Sequence, residues 1–237
     1  MRFSSPLVRG VLLRRYKRFL AEIRMEDGGT VTAHCPNSGS MKGCAVPGRE
    51  VLLSIAENPK RKTLYTWELI HLPSTWVGIN TLTANQLLAE TANGSGIPEL
   101  GPFDKLVSEV KLGKSRIDFC FLRGNRSLFV EVKNVTLVEN STAFFPDAPT
   151  VRGRKHLQEL IDATQQGHRS AMFYVVQRQD AQRFAPAANI DPDYAESLRR
   201  AHEAGVQIIA YGARVSPEEI CLDSPLEVVL EGEKGQD

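Results

Sequence analysis

The sequence lacks the features that mark membrane-spanning and secreted proteins. None of its apolar runs approaches the roughly 20 residues that a membrane span needs, and arginines interrupt the apolar residues near the N-terminus, where a signal peptide would have an apolar core. It has only four cysteines and no Cys-x-x-Cys pair, which argues against a disulfide framework. We therefore expect a cytoplasmic protein with free thiols and no membrane partner.

The familiar zinc-binding patterns are also missing. His34, Cys35 and Cys44 lie close together in the sequence, but no fourth ligand accompanies them at the spacing of known zinc sites. We predict that the protein holds no zinc, and the alternative is a site built on these three residues.

The net charge is small, at +1, and it conceals an asymmetry. Residues 1–85 hold 12 Lys and Arg against 6 Asp and Glu, whereas the remaining residues hold 17 against 22. A basic first part indicates contact with a polyanion, and an acidic second part indicates a site built from carboxylates. The alternative is an unevenly charged, solvated surface.

The first part of the chain has the pattern of a β-barrel. Residues 18–25 alternate apolar and charged side chains, and a turn at 27–29 leads into a second strand. Further strand-like runs follow at 49–55, 63–72 and 75–80. Because five or six short strands hide their edges by closing on themselves, we predict an OB-like barrel over residues 1–82.

The pattern changes to alternating helices and strands from about residue 83. We predict helices at 81–94, at 153–166 and from 192. Three strands at 105–113, 115–122 and 127–135 follow the first helix, a buried strand at 170–177 follows the second, and a last strand at 206–215 follows the third. This order describes an α/β sandwich with a central mixed sheet over residues 83–230. Residues 231–237 are predicted to be a flexible tail.

Three charged residues stand inside predicted strands whose neighbours are apolar. Side chains on a strand alternate faces, so Glu131 and Lys133 point the same way, and pairing with the preceding strand brings Asp118 toward them. Two carboxylates and an ammonium suit a magnesium-dependent phosphodiester-cleaving site. The alternatives are an internal ion pair or a solvated strand face, and a second Glu-x-Lys occurs at Glu109 and Lys111.

The order of elements around this cluster resembles the PD-(D/E)xK nuclease superfamily. The resemblance implies that Asp118 and Glu131 hold Mg²⁺ or Mn²⁺, that Lys133 orients the nucleophile, and that Glu90 on the first helix adds a further metal ligand. The predicted catalytic set is thus Asp118, Glu131, Lys133 and Glu90.

Several longer stretches are similar to one bacterial and archaeal family. They are "YKRFLA" (16–21), "PNSGSM" (36–41), "SRIDF" (115–119), "VEVKNVTL" (130–137) and "FPDAPTVRGRKHLQEL" (145–160). Together they resemble the sugar fermentation stimulation protein family, SfsA. The resemblance implies an N-terminal OB-like barrel, a nuclease-like C-terminal domain, DNA binding and a regulatory part in sugar metabolism.

Basic residues mixed with aromatic ones indicate where nucleic acid binds. Arg14, Arg15, Lys17 and Arg18 surround Tyr16 and Phe19 on a predicted barrel strand, where cations meet phosphates and aromatic rings stack on bases. The alternative is a core Phe19 with solvated arginines.

Two further segments are candidates for phosphate contact. Arg152, Arg154 and His156 cluster near the start of the helix predicted at 153–166, where cations are unfavourable unless an anion binds there, and we select Arg154 and its neighbour Lys155 as contacts to nucleic acid. The loop at 34–41 is able to aim backbone N–H groups at a phosphate. Its alternative is a loop whose Asn37 and Ser38 satisfy their own backbone.

The sequence therefore predicts a DNA-binding protein with a Mg²⁺- or Mn²⁺-dependent phosphodiesterase site. The alternative is a non-catalytic regulator of sugar metabolism genes that binds DNA through phosphates with little sequence preference. A third hypothesis is an enzyme acting on small phosphorylated molecules.

Overall fold

The structure is a computed structural model that describes residues 1–58 and 60–230. In the first eighty residues its elements are β1 (Val8–Tyr16), β2 (Leu20–Met25), β3 (Thr30–His34), β4 (Glu50–Ile55), β5 (Tyr65–Leu72) and β6 (Thr75–Gly78). They are followed by α1 (Leu82–Asn93), β7 (Lys105–Leu112), β8 (Ser115–Arg123), β9 (Arg126–Val135), β10 (Leu137–Glu139) and β11 (Thr142–Phe145). The last elements are α2 (Val151–Gln165), β12 (Arg169–Val176), β13 (Arg183–Pro186), α3 (Pro192–Glu203), β14 (Gln207–Val215), β15 (Ile220–Pro225) and β16 (Glu227–Val228).

The first five strands close into a barrel. β1 pairs with β2 and β4, β2 pairs with β3, and β4 pairs with β5, while a parallel contact of β3 with β5 completes the circuit. Alternate side chains point inward, so Ala21 and Ile23 of β2 and Trp67 of β5 are fully buried in its core. The predicted OB-like barrel is therefore confirmed.

The second part of the chain is built on a six-stranded mixed sheet. Its strand order is β15-β14-β12-β9-β8-β7, with β9, β12 and β14 parallel and the outer strands antiparallel. The predicted succession of helix, three strands, helix, strand, helix and strand is confirmed, although α2 begins two residues earlier than expected. Both faces of β12 are covered, as its continuous apolar run predicts.

Helices cover the two faces of this sheet. Leu87 and Leu88 of α1 pack into one core with Phe173, and Leu160 of α2 and Leu198 of α3 pack into the other. Each such fully buried side chain contributes about 1.5–3 kcal/mol relative to an exposed one. The sheet is thereby the rigid layer from which the predicted site residues Asp118, Glu131 and Lys133 project.

Side-chain caps fix the starting points of α2 and α3. The Thr150 hydroxyl accepts the Gly153 N–H at 3.0 Å, and the Asp191 carboxylate accepts the Tyr194 N–H at 3.0 Å. Each bond satisfies a backbone donor that the first turn of a helix leaves free. The cap at Thr150 sets the position from which the first turns of α2 approach the sheet.

Three features of the fold were not predicted from the sequence, and the first is the edge strand β15 of the mixed sheet, which follows the last predicted strand. A second sheet, in the order β10-β11-β13-β16, is made of strands of two to four residues that are too short for a clear alternation pattern. The N-terminal residues, which we assigned to the barrel, lie against the C-terminal domain, where the Met1 ammonium donates to the Ile220 carbonyl at 2.7 Å.

Within the described residues, no helix is both long and apolar enough to cross a membrane. The tail predicted at 231–237 lies outside the described residues.

Candidate functional site

The candidate site lies where strands β8 and β9 separate. Their antiparallel ladder ends at the pair Phe119 and Val130. Beyond that pair, the Val132 N–H of β9 donates to one oxygen of Asp118 at 2.8 Å, and Asn85 of α1 donates to the other at 3.0 Å. The Asp118 carboxylate is therefore fixed from both sides at the point where the strands diverge.

Glu131 is the most buried of the predicted site residues. Its side chain is 3% exposed, and its Oε1 is bound by the Lys133 ammonium and by the His156 Nδ1. The Arg152 Nε lies 3.4 Å from the His156 Nε2, so the imidazole accepts there and donates through Nδ1 to Glu131. His156 and Lys133 thus hold one carboxylate oxygen from two directions.

The two carboxyl groups have their pKa values shifted in opposite directions. Burial, reinforced by the negative charge of Glu131, raises the pKa of Asp118. Burial alone would also raise the pKa of Glu131, but the hydrogen bond from His156 and the charge of Lys133 outweigh it, and the pKa of Glu131 is lowered. Neighbouring acids with separated pKa values are common in catalytic sites.

The oxygens of this pair suit a hard divalent cation. The Glu131 Oε2 is buried and has no hydrogen-bond partner among the described residues. Asp118 uses two of the roughly four acceptor positions of a carboxylate. In the described part of the chain, no group of three or more His, Cys, Asp and Glu side chains is arranged to hold a metal. Mg²⁺, however, is commonly bound by one or two carboxylates together with waters and substrate phosphates.

A cavity of about 490 Å³ opens above these residues, between the two domains. Asp118, Glu131 and Lys133 line it together and form what we call its floor, and Asn85 of α1 also lines it. The structure therefore brings the three strand residues together on one side of the sheet.

Two loops from different domains form the walls of the cavity. One is the barrel loop 36–41, and the other is the segment 144–150 that precedes α2. Asp147 joins them, because its carboxylate accepts the Met41 N–H at 2.8 Å and its carbonyl accepts the Ser40 hydroxyl at 2.6 Å. A side chain on Gly39 would lie 2.6 Å from both Asp147 carboxylate oxygens, so the contact requires a glycine there.

The structure does not bring Glu90 to the cavity. Its carboxylate pairs with the Met1 ammonium at 2.7 Å, and its side chain is 60% exposed. Asn85, on the same helix, contacts Asp118 instead. Five residues correspond to about 140° around an α-helix, so the two side chains cannot serve one site.

The basic stretch at 14–19 is divided by a turn and does not form one strand. β1 ends at Tyr16, and Lys17 and Arg18 adopt positive φ values of 48° and 62° in the connection to β2. Arg14 pairs with Glu22 of β2 at 2.5 Å. Phe19 is 46% exposed, so it does not belong to the core.

Arg15 and Arg18 hold the barrel loop. The Arg15 guanidinium donates to four backbone carbonyls, those of Arg18, Asn37, Gly39 and Ser40. Four of its five N–H groups are therefore engaged within the protein. Arg18 donates to the Ser38 carbonyl at 2.8 Å and lines the cavity.

The barrel loop 36–41 agrees in part with the alternative interpretation, in which its own side chains satisfy its backbone groups. The Asn37 side chain accepts the Gly39 N–H at 2.9 Å, which satisfies a donor that a phosphate would need.

Arg154 and Lys155 lie away from the cavity. Arg154 pairs with Asp191 at 3.1 Å and Asp193 at 2.9 Å, which ties α2 to the start of α3. Lys155 donates to the Lys114 carbonyl at 3.2 Å. The α2 cation that lines the cavity is instead Arg152, which belongs to the predicted cluster of cations at the helix start but was not selected as a contact to nucleic acid.

Sequence reasoning missed the contacts that two polar residues make with the carboxylates, because it placed His156 only in the cluster of cations near the helix start and did not single out Asn85. His156 stands between Gly153 and Leu160 on the buried face of α2, and Asn85 stands three residues before the buried Leu88 of α1. Both residues occupy helix positions whose spacing places them among buried apolar side chains. A polar residue at such a position was the signal available in the sequence.

Two family models match consecutive parts of this chain. The first, described as the SfsA N-terminal OB domain, matches residues 13–79. The second, described as the sugar fermentation stimulation protein RE domain, matches residues 82–219. Together they cover most of the barrel, five of the six strands of the mixed sheet and both loops of the cavity.

Named relatives are similar over nearly their whole length. A sugar fermentation stimulation protein homolog of Geobacter sulfurreducens is 52% identical over 97% of this chain and 99% of its own. A homolog of Shewanella baltica is 47% identical over 94% and 97%. The structure of Pyrococcus furiosus SfsA in complex with Ca²⁺ superposes with a TM-score of 0.88 at 29% identity, over 97% of this chain and 98% of that one.

Proposed function

The chain belongs to the sugar fermentation stimulation protein (SfsA) family, and we propose that it binds DNA and hydrolyses phosphodiester bonds with a divalent cation. The cation is Mg²⁺ or Mn²⁺, and the reaction takes place in the cavity above Asp118 and Glu131. The four free thiols support the cytoplasmic location that the sequence predicts.

The observation that carries this proposal is the orphaned Oε2 of Glu131. A buried carboxylate oxygen without a partner is costly, and a bound cation would remove that cost. Asp118 presents a second carboxylate at the same cavity. The Pyrococcus furiosus relative, in complex with Ca²⁺ and alike in fold over nearly the whole chain, supports a cation site in this protein as well.

When bound, the cation would act as a Lewis acid toward the phosphate and lower the pKa of a bound water. Lys133 is the ammonium at the cavity floor, where it orients the attacking water and offsets negative charge that develops on the phosphate. His156 keeps Glu131 in place through Nδ1 and Oε1, and Oε2 has no hydrogen-bond partner among the described residues. Asn85 fixes Asp118 in the same way.

DNA would reach the site along the cations at the cavity mouth. Arg18 and Arg152 line the cavity, and Lys17 is exposed next to Arg18. Arg14 lies further along β1 with an exposed side chain. Contacts of this kind bind phosphates without reading the base sequence, so the binding should weaken strongly with added salt.

Incubation of the purified protein with DNA and Mn²⁺ tests the proposal. We expect strand cleavage by the wild type and its loss in Lys133→Ala. Lys111→Ala is the matched control, because Lys111 belongs to the second Glu-x-Lys of the sequence and is exposed on the edge strand β7.

Cleavage that persists in Lys133→Ala would contradict the assigned site. Binding of DNA by the wild type without any cleavage would support the alternative, a non-catalytic DNA-binding regulator. An absence of both binding and cleavage at low salt would overturn both.

A further inference from the structure

Three large apolar side chains are exposed either in the lining of the cavity or directly next to a lining residue in the sequence. Leu82 is 67% exposed and lines it, and Val151 is 73% exposed between two lining residues. Phe19 is 46% exposed and follows Arg18, which also lines it. Exposed apolar side chains are ordinary when scattered, but of the five large ones found in the described residues, one lines this cavity and two are immediate sequence neighbours of lining residues.

Cations alternate with these apolar side chains. The Arg18 guanidinium lies over the Phe19 ring at 5.9 Å from its centroid. Arg152 follows Val151 directly at the start of α2. Sites for single-stranded nucleic acid combine cations that follow the phosphates with aromatic and apolar surfaces on which unpaired bases stack. Paired bases, in contrast, present only their edges to a protein.

The size of the cavity is a second and independent observation. A sphere of 490 Å³ is roughly 10 Å across. A B-DNA duplex is wider than this cavity, because its major groove alone is about 12 Å wide. A volume of this size falls in the range of sites for single small molecules, about 300–1,000 Å³. Since Glu131 lies on the floor, a phosphodiester must descend into the cavity to reach it.

The two loops joined by Asp147 limit any widening of the cavity. The barrel loop is bound to Asp147 through the Met41 N–H and the Ser40 hydroxyl, and Arg15 fixes it from the barrel side. A duplex would have to separate these loops before its phosphates approached the floor.

From these observations we infer that the site takes single-stranded DNA or the unpaired end of a duplex, and excludes intact duplex. This inference rests on the proposed function, because it names the form of DNA that reaches the same carboxylates. One nucleotide enters the cavity, and the neighbouring bases stack on Phe19 and on Leu82 or Val151. Arg18 and Arg152 contact the phosphates between them.

Binding without divalent cations tests the inference separately from catalysis. The full-length protein in EDTA is titrated into fluorescent oligo-dT, and fluorescence anisotropy gives Kd. Unlabelled oligo-dT and a DNA hairpin with a fully paired, blunt stem are the competitors. We expect oligo-dT to compete at least about tenfold more effectively per nucleotide than the hairpin.

Two variants locate the binding path. Phe19→Ala should weaken oligo-dT binding about fivefold or more, since one stacked base contributes about that factor as a minimum. Ile55→Ala is the matched control, because Ile55 is 51% exposed on β4 and lines a different cavity. Asp147→Ala, which releases the barrel loop, should narrow the difference between oligo-dT and the hairpin.

Equal competition by hairpin and oligo-dT would overturn the inference, and so would equal effects of Phe19→Ala and Ile55→Ala. Preference for oligo-dT combined with no cleavage in Mn²⁺ would leave the strand preference standing while the proposed hydrolysis failed.

Discussion

Replacement of Arg15 by Ala tests whether this arginine stabilises the barrel loop or contacts a phosphate of DNA. The guanidinium donates to Asn37 at 2.8 Å and Gly39 at 2.9 Å in partly buried bonds, and to Arg18 at 3.0 Å and Ser40 at 3.2 Å in exposed ones. A hydrogen bond with a charged partner contributes about 1.5–3 kcal/mol, and exposed bonds contribute less. We therefore expect Arg15→Ala to lower the free energy of unfolding of the barrel by about 2–4 kcal/mol.

Urea unfolding followed by tryptophan fluorescence measures this loss, because Trp67 is fully buried in the barrel core. Arg14→Ala is the control. Arg14 is the preceding residue and pairs with Glu22 through a side chain that is 66% exposed, so its removal should cost less than about 1 kcal/mol.

The salt dependence of DNA binding completes the test. Each phosphate contact to a single strand contributes about 0.7 to the slope of log K against log salt. Arg15→Ala should weaken binding with little change of slope, because the loop moves but no phosphate contact is lost. An unchanged unfolding midpoint together with a slope reduced by about 0.7 would refute this account of Arg15.

Three further results are expected. Cation affinity should fall by about tenfold per pH unit once the pH drops below the raised pKa of Asp118, because the cation requires the carboxylate form, and calorimetry at several pH values measures this. His156→Ala should lower the free energy of unfolding at neutral pH by about 2–4 kcal/mol. This loss should shrink as the pH falls through the lowered pKa of Glu131, because His156 stabilises the ionised form of that carboxyl group. A loss that does not depend on pH would indicate that His156 contributes through packing alone. Glu90→Gln should change cation affinity by less than about twofold and the free energy of unfolding by less than about 1 kcal/mol, because the side chain is exposed and pairs only with Met1 among the described residues. A large loss of cation affinity would show that Glu90 is a metal ligand.

Alternation along the strands was sufficient to predict the barrel and the floor of the site. Glu131 and Lys133 share a face because they are two residues apart, and Asp118 reaches them because its strand is the next one in the sheet. These relations are local or involve neighbouring strands. They follow from the order of residues in the chain.

Relations between distant elements were harder to predict. The position of Glu90 depends on the rotation of α1 about its axis, and a sequence does not fix which face of a helix meets a particular strand end. Likewise, a basic run does not reveal whether a cation meets a phosphate or, as for Arg15, backbone carbonyls of a loop more than twenty residues away. Asp147 and His156 join the site only once the two domains and α2 are in place.

The most direct test of the central claim is a titration of the protein with Mn²⁺, followed by electron paramagnetic resonance of the free ion. The wild type should bind Mn²⁺, and Glu131→Gln and Asp118→Asn should each weaken binding at least about tenfold, whereas Lys111→Ala should leave it unchanged. Equal Mn²⁺ binding by the wild type and by both carboxylate variants would contradict the claim that Asp118 and Glu131 hold the cation.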